Sequence, residues 1–216
     1  LNAADLRSGA EFLNIPVGAR AVGMGNAYTA LANDVTSLHW NPAGLGLMQD
    51  REFGATYSQW LLDTQYNFVG FGLPSKHGTF AASVAVLSQG PEQARGLDRQ
   101  KTGSIKAQDQ ALSLGFGRNM GGFQAGANAK FIQSSIAGYS ANTMALDLGV
   151  LYPATRMISL GFAVQNLGPG MKFIDQRDPL PMTFAAGFAL RSMIPGMSLA
   201  FDVRQQPNNK KTNFSM

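Results

Sequence analysis

From Glu52 onward bulky apolar side chains recur at every second position, a period that only strands can present on one face. Leu112, Leu114 and Phe116 alternate with Ala111, Ser113, Gly115 and Gly117. Met144, Leu146, Leu148 and Val150 alternate with Ala145, Asp147 and Gly149, and Phe184, Phe188 and Leu190 with Thr183, Ala185, Gly187 and Ala189. The same parity runs through residues 122–134, 158–166 and 197–205. The second face holds mostly Gly, Ala and Ser, with Asn128, Lys130, Asp147, Gln165, Asp202 and Arg204 as its polar members. A soluble sheet sets long polar side chains toward water on one side. A small-residue face suits a crowded interior instead, with a few polar groups inside and the bulky face turned to lipid. Composition agrees, since only 14% of residues are charged against roughly 25% in ordinary soluble domains.

Connection lengths point the same way. The short links "PSKHG", "RNMGG", "YPATRM" and "RSMIPG" alternate with the long stretch 89–108, the medium "SSIAGYSANT" and the long stretch 166–181. Outer-membrane barrels sort their connections in this manner, short turns at one end and longer loops at the other. Strands are expected at about Glu52 to Trp60, Gln65 to Leu73, Thr79 to Ser88, Asp109 to Arg118, Gly122 to Ser134, Thr143 to Tyr152, Ile158 to Asn166, Met182 to Arg191 and Met197 to Gln205, with a tenth starting at Thr212. The fold class is therefore all-β, an antiparallel transmembrane β-barrel. Nine or ten such strands leave edges that lipid cannot satisfy, so the barrel is expected to be incomplete here or to have its edges covered by a partner.

Several chemistries find no footing. The net charge of +4 comes from scattered bases with no stripe for nucleic acid. Cysteine is absent, and the two histidines, His39 and His77, fall in different segments, so neither a metal site nor a cofactor is expected. No Gly-x-Ser-x-Gly elbow occurs, and the chain is read as no enzyme. Asp147 and Asp202 share the interior face and are expected to pair with Arg204, Lys130 or donors of the N-terminal segment rather than to act as an acid and base. Trp60 and Tyr66 flank the first outside loop and suit either an interfacial aromatic belt or a packed core.

Ahead of the strands stands "GARAVGMGNAYTALANDVTSLHWNPAGL", residues 18–45. Gly23, Met24 and Gly25 lack the Gly-Lys-Ser/Thr of a phosphate loop, and Gly-x-Gly-x-x-Gly fails at Tyr28. The glycines read as close-packing positions, "NAYTALAND" as a short helix, and "HWNPAGL" as the turn into the first strand. Arg20 is expected to pair internally rather than to clamp a ligand.

The run "VGARAVGMGNAYTALANDVTSLHWNPAGLG" resembles the N-terminal hatch of FadL-like outer-membrane proteins, and more closely that of the PorV/PorQ family. Downstream, "YSQWLLDTQYNFVGFGLP", "DQALSLGFGR", "AVQNLGPGMKF" and "PLPMTFAAGFALR" continue the likeness. The resemblance implies a bacterial outer-membrane barrel of about fourteen strands, with residues 1–50 as a hatch inside the lumen and 51–216 as wall. Gly18, Arg20, Gly23, Met24, Gly25, Asn41, Pro42 and Gly44 are its hatch-motif residues. It also implies a part in type IX secretion, with secretion components or cargo C-terminal domains bound at an outside rim. Gln89, Arg95 and Arg99 on one long connection, and Lys172, Phe173 and Arg177 on the other, would form that rim. The alternative is FadL-like transport of hydrophobic small molecules, with a lipid-like ligand. Transport predicts a continuous apolar channel beside the hatch; secretion predicts a blocked lumen.

Overall fold

The computed structural model describes residues 8–61, 63–95, 101–173, 176–191 and 197–216. Its wall is one antiparallel sheet of ten strands, in which every hydrogen-bonded neighbour is also the next wall strand in sequence. The strands are β1 (Glu52–Gln59), β2 (Gln65–Ser75), β3 (Gly78–Arg95), β4 (Lys101–Asn119), β5 (Gln124–Ile136), β6 (Tyr139–Pro153) and β7 (Ile158–Leu167). Strands β8 (Met171–Phe173) and β9 (Gln176–Asp178) form a separate hairpin. The wall resumes with β10 (Thr183–Arg191), β11 (Ser198–Gln206) and β12 (Lys211–Ser215). Among the described residues β1 and β12 are not paired with each other, so the wall is an open arc of a barrel. No described helix is long and apolar enough to cross a membrane.

The two faces differ as alternation demands. Phe53 is 68% exposed and Leu114 62%, whereas Asn128, Asp147 and Asp202 on the opposite face are fully buried. The bulky rows have nothing of this chain over them, which is the arrangement of a sheet whose outer solvent is hydrocarbon. Tyr66 is an exception to any aromatic belt, because its inward parity buries it beside Phe68. Trp60, just past the end of β1, is exposed.

Four expectations need correction. The stretch 89–108 is largely strand, since β3 and β4 stay paired out to Arg95 and Lys101. Gly, Pro and charge there signal a loop, but backbone groups pair as long as two strands run side by side. Pro91 is absorbed where the register shifts between Gln89 and Glu92. The medium connection shrinks to a two-residue turn, Ala137 and Gly138, both at positive φ, so β5 and β6 pair as far as Ile136 and Tyr139. No helix forms over Asn26–Asp34; helices instead occupy α1 (Ala19–Gly23) and α2 (Ser37–Trp40), and positive φ at Gly25 (+59°) and Asn26 (+71°) turns the chain out of the first. The Asn-Pro run opens a 3₁₀ helix, Pro42–Leu47, rather than a bare turn.

Candidate functional site

Residues 10–48 cover the small-residue face, and the seat they occupy is built from the wall's polar side chains. On β5 and β6, the register sets Asn128 opposite Asp147. Lys130 Nζ lies 2.7 Å from Asp147 Oδ2 and donates to Asn166 Oδ1 at 2.8 Å, while the Asn166 N–H donates to Asp147 Oδ1 at 2.7 Å. Asn128 Nδ2 reaches both Asp147 (3.1 Å) and the Leu38 carbonyl of the hatch (2.9 Å). Gln165 Nε2 donates to the carbonyls of His39 and Trp40, and its Oε1 accepts from Arg204 at 2.6 Å. Asp202 Oδ2 accepts from the N–H groups of Tyr28 and Thr29 at 3.0 and 2.8 Å. Asn128, Lys130, Asp147, Gln165, Asp202 and Arg204 therefore converge on one layer beneath the hatch. Asn128, Gln165 and Asp202 grip the hatch, Asp147 and Arg204 each hold one of those grips, and Lys130 holds Asp147.

The hatch meets this layer with groups its own sequence supplies. Asn41 caps the 3₁₀ helix by accepting from the Ala43 N–H, and its Nδ2 donates to the carbonyls of Thr29 and Val150. Pro42 sits at the first helical position, where no N–H is needed. A methyl group at Gly44 would overlap the Ala32 carbonyl and the Ser37 hydroxyl. Arg20 donates to Tyr28 Oη at 2.9 Å and Asn33 Oδ1 at 2.6 Å, with Asp34 Oδ2 3.9 Å away, so it serves the hatch's own fold. Burial and the bond to Asp34 hold the Tyr28 hydroxyl well above its ordinary range, hence neutral. Gly18 takes φ +87° and Gly25 φ +59°; the former donates to Thr56 on β1, the latter abuts the Met216 backbone beside β12. Gly23 is exposed with open space about it, so it is not the close-packing position that its motif suggested, while Met24, partly covered, packs against the cluster of Ala21, Tyr28 and Trp40.

Backbone reaches backbone over a glycine ladder. Gly117, Gly126 and Gly149 are lateral partners across β4, β5 and β6. Side chains at Gly126 or Gly149 would run into Pro42 and Asn41 of the 3₁₀ helix. The small-residue face is thus shaped to this particular segment.

Toward the long connections the character changes. Phe12, Leu13 and Val17 join Tyr66, Phe68, Ile132, Met171 and Leu180 in one apolar cluster. The 166–181 connection, read from sequence as a rim, folds inward to build it. Gly9 N–H donates to the Pro179 carbonyl, Thr143 to the Pro169 carbonyl, and Met171 is fully buried. Phe173 packs against the same cluster, while Lys172 and Arg177 stay exposed. Gln89 lies on β3 opposite Ala107, Arg95 is paired to Lys101 in the ribbon, and Arg99 lies outside the described residues. Between the cluster and the polar layer remains a gap of about 20 Å3, lined by Leu13, Leu38, Tyr66, Phe68 and Lys130 among others. Among the described residues no group of three or more His, Asp or Glu side chains could hold a metal ion.

Three solved structures share this architecture. The toluene transporter TbuX of Ralstonia pickettii superposes with a TM-score of 0.64 at 12% identity, over 93% of this chain and 78% of its own. The monoaromatic hydrocarbon channel CymD gives 0.63 at 12% identity, over 93% and 75%. The toluene transporter TodX of Pseudomonas putida gives 0.60 at 12% identity, over 85% and 68%. At such identity the likeness establishes the FadL-like barrel fold. No curated protein sequence matches the chain. Residues 5–146 match the model of the uncharacterised protein family UPF0164, and with most of its length so matched the chain belongs to that family.

Proposed function

We propose that this chain is a bacterial outer-membrane barrel that passes small hydrophobic molecules, with the N-terminal hatch as its gate and no enzymatic activity of its own. The observation that carries this reading is the wall and hatch architecture shared with two toluene transporters and a monoaromatic hydrocarbon channel. The apolar cluster of Phe12, Tyr66 and Phe68 adds a suitable surface for a hydrocarbon at the long-connection end. The 20 Å3 gap is far too small for such a molecule, so passage requires the hatch to shift. The test is uptake of toluene by vesicles carrying the protein, beside protein-free vesicles. Uptake above the protein-free rate, raised further by Gly149→Ala, is expected; rates equal to protein-free vesicles for both proteins overturn the reading.

The secretion reading draws support from the same filled lumen, which it anticipates, and from the paired ribbon of β3 and β4, which runs past the last β4–β5 pair at Ala107 and Ile136. On that reading the PorV/PorQ resemblance extends to partners, and immobilised protein should retain cargo C-terminal domains through the ribbon. Unchanged retention after shortening the ribbon would remove it.

A further inference from the structure

A second cavity, of about 170 Å3, lies between the hatch and the β11–β12 pair, lined among others by Asn14, Asn26, His39, Trp40, Arg204 and Asn213. It is polar where the first gap is apolar. The Arg204 guanidinium spans its wall, stacked 5.0 Å from the Trp40 ring, with Nη2 donating to Gln165. Its other terminal nitrogen, Nη1, is sealed from solvent and has no hydrogen-bond partner. Asn26 Oδ1 is buried and unpartnered as well. Rotation of that amide about its last bond would present its NH2 group instead.

The wall's own carboxylates Asp202 and Asp147 partly offset the Arg204 charge through space but form no direct bond with it. Asp202 commits Oδ2 to Tyr28 and Thr29, its Oδ1 faces Gly187, and Asp147 is bound by Lys130, Asn128 and Asn166. Among the described residues no carboxylate lies within 4.0 Å of Arg204. A buried cation with an idle donor is costly unless an anion reaches it. Guanidinium binds carboxylates well because its planar fork matches their two oxygens. The cavity falls below the ~300–1,000 Å3 typical for drug-sized ligands, which limits the occupant to a small acid, and the Trp40 and His39 rings give its hydrocarbon part an apolar wall.

We propose that this cavity is a binding site for a small carboxylate anion, with the Arg204 guanidinium, turned so that Nη1 leaves its sealed position, as the charged anchor and Asn26 as its polar companion. The site rests on the cavity's geometry and stands whether or not the protein conducts hydrocarbons.

Fluorine NMR on the full chain in micelles, with 4-fluorobenzoate as probe and acetate as competitor, tests it. Saturable line broadening reversed by acetate is expected for the wild type. Affinity should fall about tenfold or more in Arg204→Gln and recover in part in Arg204→Lys, as the loss of a charge-assisted bond requires. Because Arg204 also steadies Gln165, Asn213→Leu provides a second variant, which fills the cavity from β12 without touching a hatch hydrogen bond, and it should weaken binding as much. Absence of saturable broadening in the wild type, wild-type affinity retained in both Arg204→Gln and Asn213→Leu, or displacement of the probe by neutral fluorobenzene as readily as by acetate would each overturn the proposal. Toluene uptake measured on the same variants reports separately on the transport reading.

Discussion

The hatch is held in two different ways at its two ends. Residues 28–47 are fastened by directional bonds from Asn128, Gln165 and Asp202 and by backbone contact over the glycine ladder. Residues 10–17 rest mainly on the apolar Tyr66, Phe68, Ile132 and Met171, with Gln206 and Asn209 donating to Asn14 and Glu11 at their exposed edge. Directional bonds fail when one partner is removed, because the other is left buried and unsatisfied. Apolar packing tolerates replacement of similar volume. The difference makes the first region a fixed anchor and the second the part that can yield.

The largest expected effect comes from the anchor's ion pair. Asp147→Leu strands Lys130 and should lower stability to denaturant in micelles by about 3–5 kcal/mol, whereas Asp147→Leu with Lys130→Met should recover much of that loss. If the double variant is as unstable as the single one, the pair is not what secures the anchor. Next, Gly149→Ala forces the 3₁₀ helix off the ladder at an expected cost of about 1–3 kcal/mol. Protease should then cut within residues 28–47 sooner than in the wild type; an unchanged rate would mean that the ladder does not dictate the fit. On the yielding side, Met171→Leu should cost less than about 1.5 kcal/mol, and a loss as large as that of Asp147→Leu would erase the contrast between the regions.

The smallest effect concerns acid. Burial, with Lys130 and Arg204 nearby, holds the His39 ring well below its ordinary pKa of 6.5, so the folded protein keeps it neutral. The unfolded chain binds a proton there once pH drops under 6.5, and the folded one does not. Stability from this group is thus complete above pH 6.5 and declines as pH falls toward the folded value, by less than about 1.4 kcal/mol per pH unit. His39→Gln should flatten that part of the stability profile; an identical profile would remove His39 from the anchor's pH response.

Much of this was legible in the residues. Strands β1 to β7, β10 and β11 follow the alternation over their apolar spans, and the inward parity of Asn128, Lys130, Asp147, Gln165, Asp202 and Arg204 is readable because a strand's faces are fixed by period alone. Asp147 pairs with Lys130, and Asp202 with hatch donors, as charge economy inside a low-dielectric space demands. What stayed hidden depends on which residues face each other across strands or on backbone fit. Arg204 meets Gln165 rather than a carboxylate because of where β7 and β11 bring them, which no local pattern reports. The inward fold of 166–181 is driven by Met171 and Leu180, with Phe173 beside them, apolar residues set among Gly, Pro and charged ones without a strand's or helix's period. The ribbon at 89–108 escaped for the converse reason: outside the apolar span its side chains no longer alternate, although its backbone still pairs.

The grip of Asp202 on Tyr28 and Thr29 joins positions 174 and 173 apart along the chain. Contacts so remote form late, since nearly every intervening strand must be laid down before the ends can meet. The N-terminal segment must therefore remain unattached on that side while the wall assembles hairpin by hairpin. A nascent wall arrested before β11 would hold the hatch through Asn128 and Gln165 but leave Tyr28 and Thr29 loose, and completion of that strand is the step that locks them down.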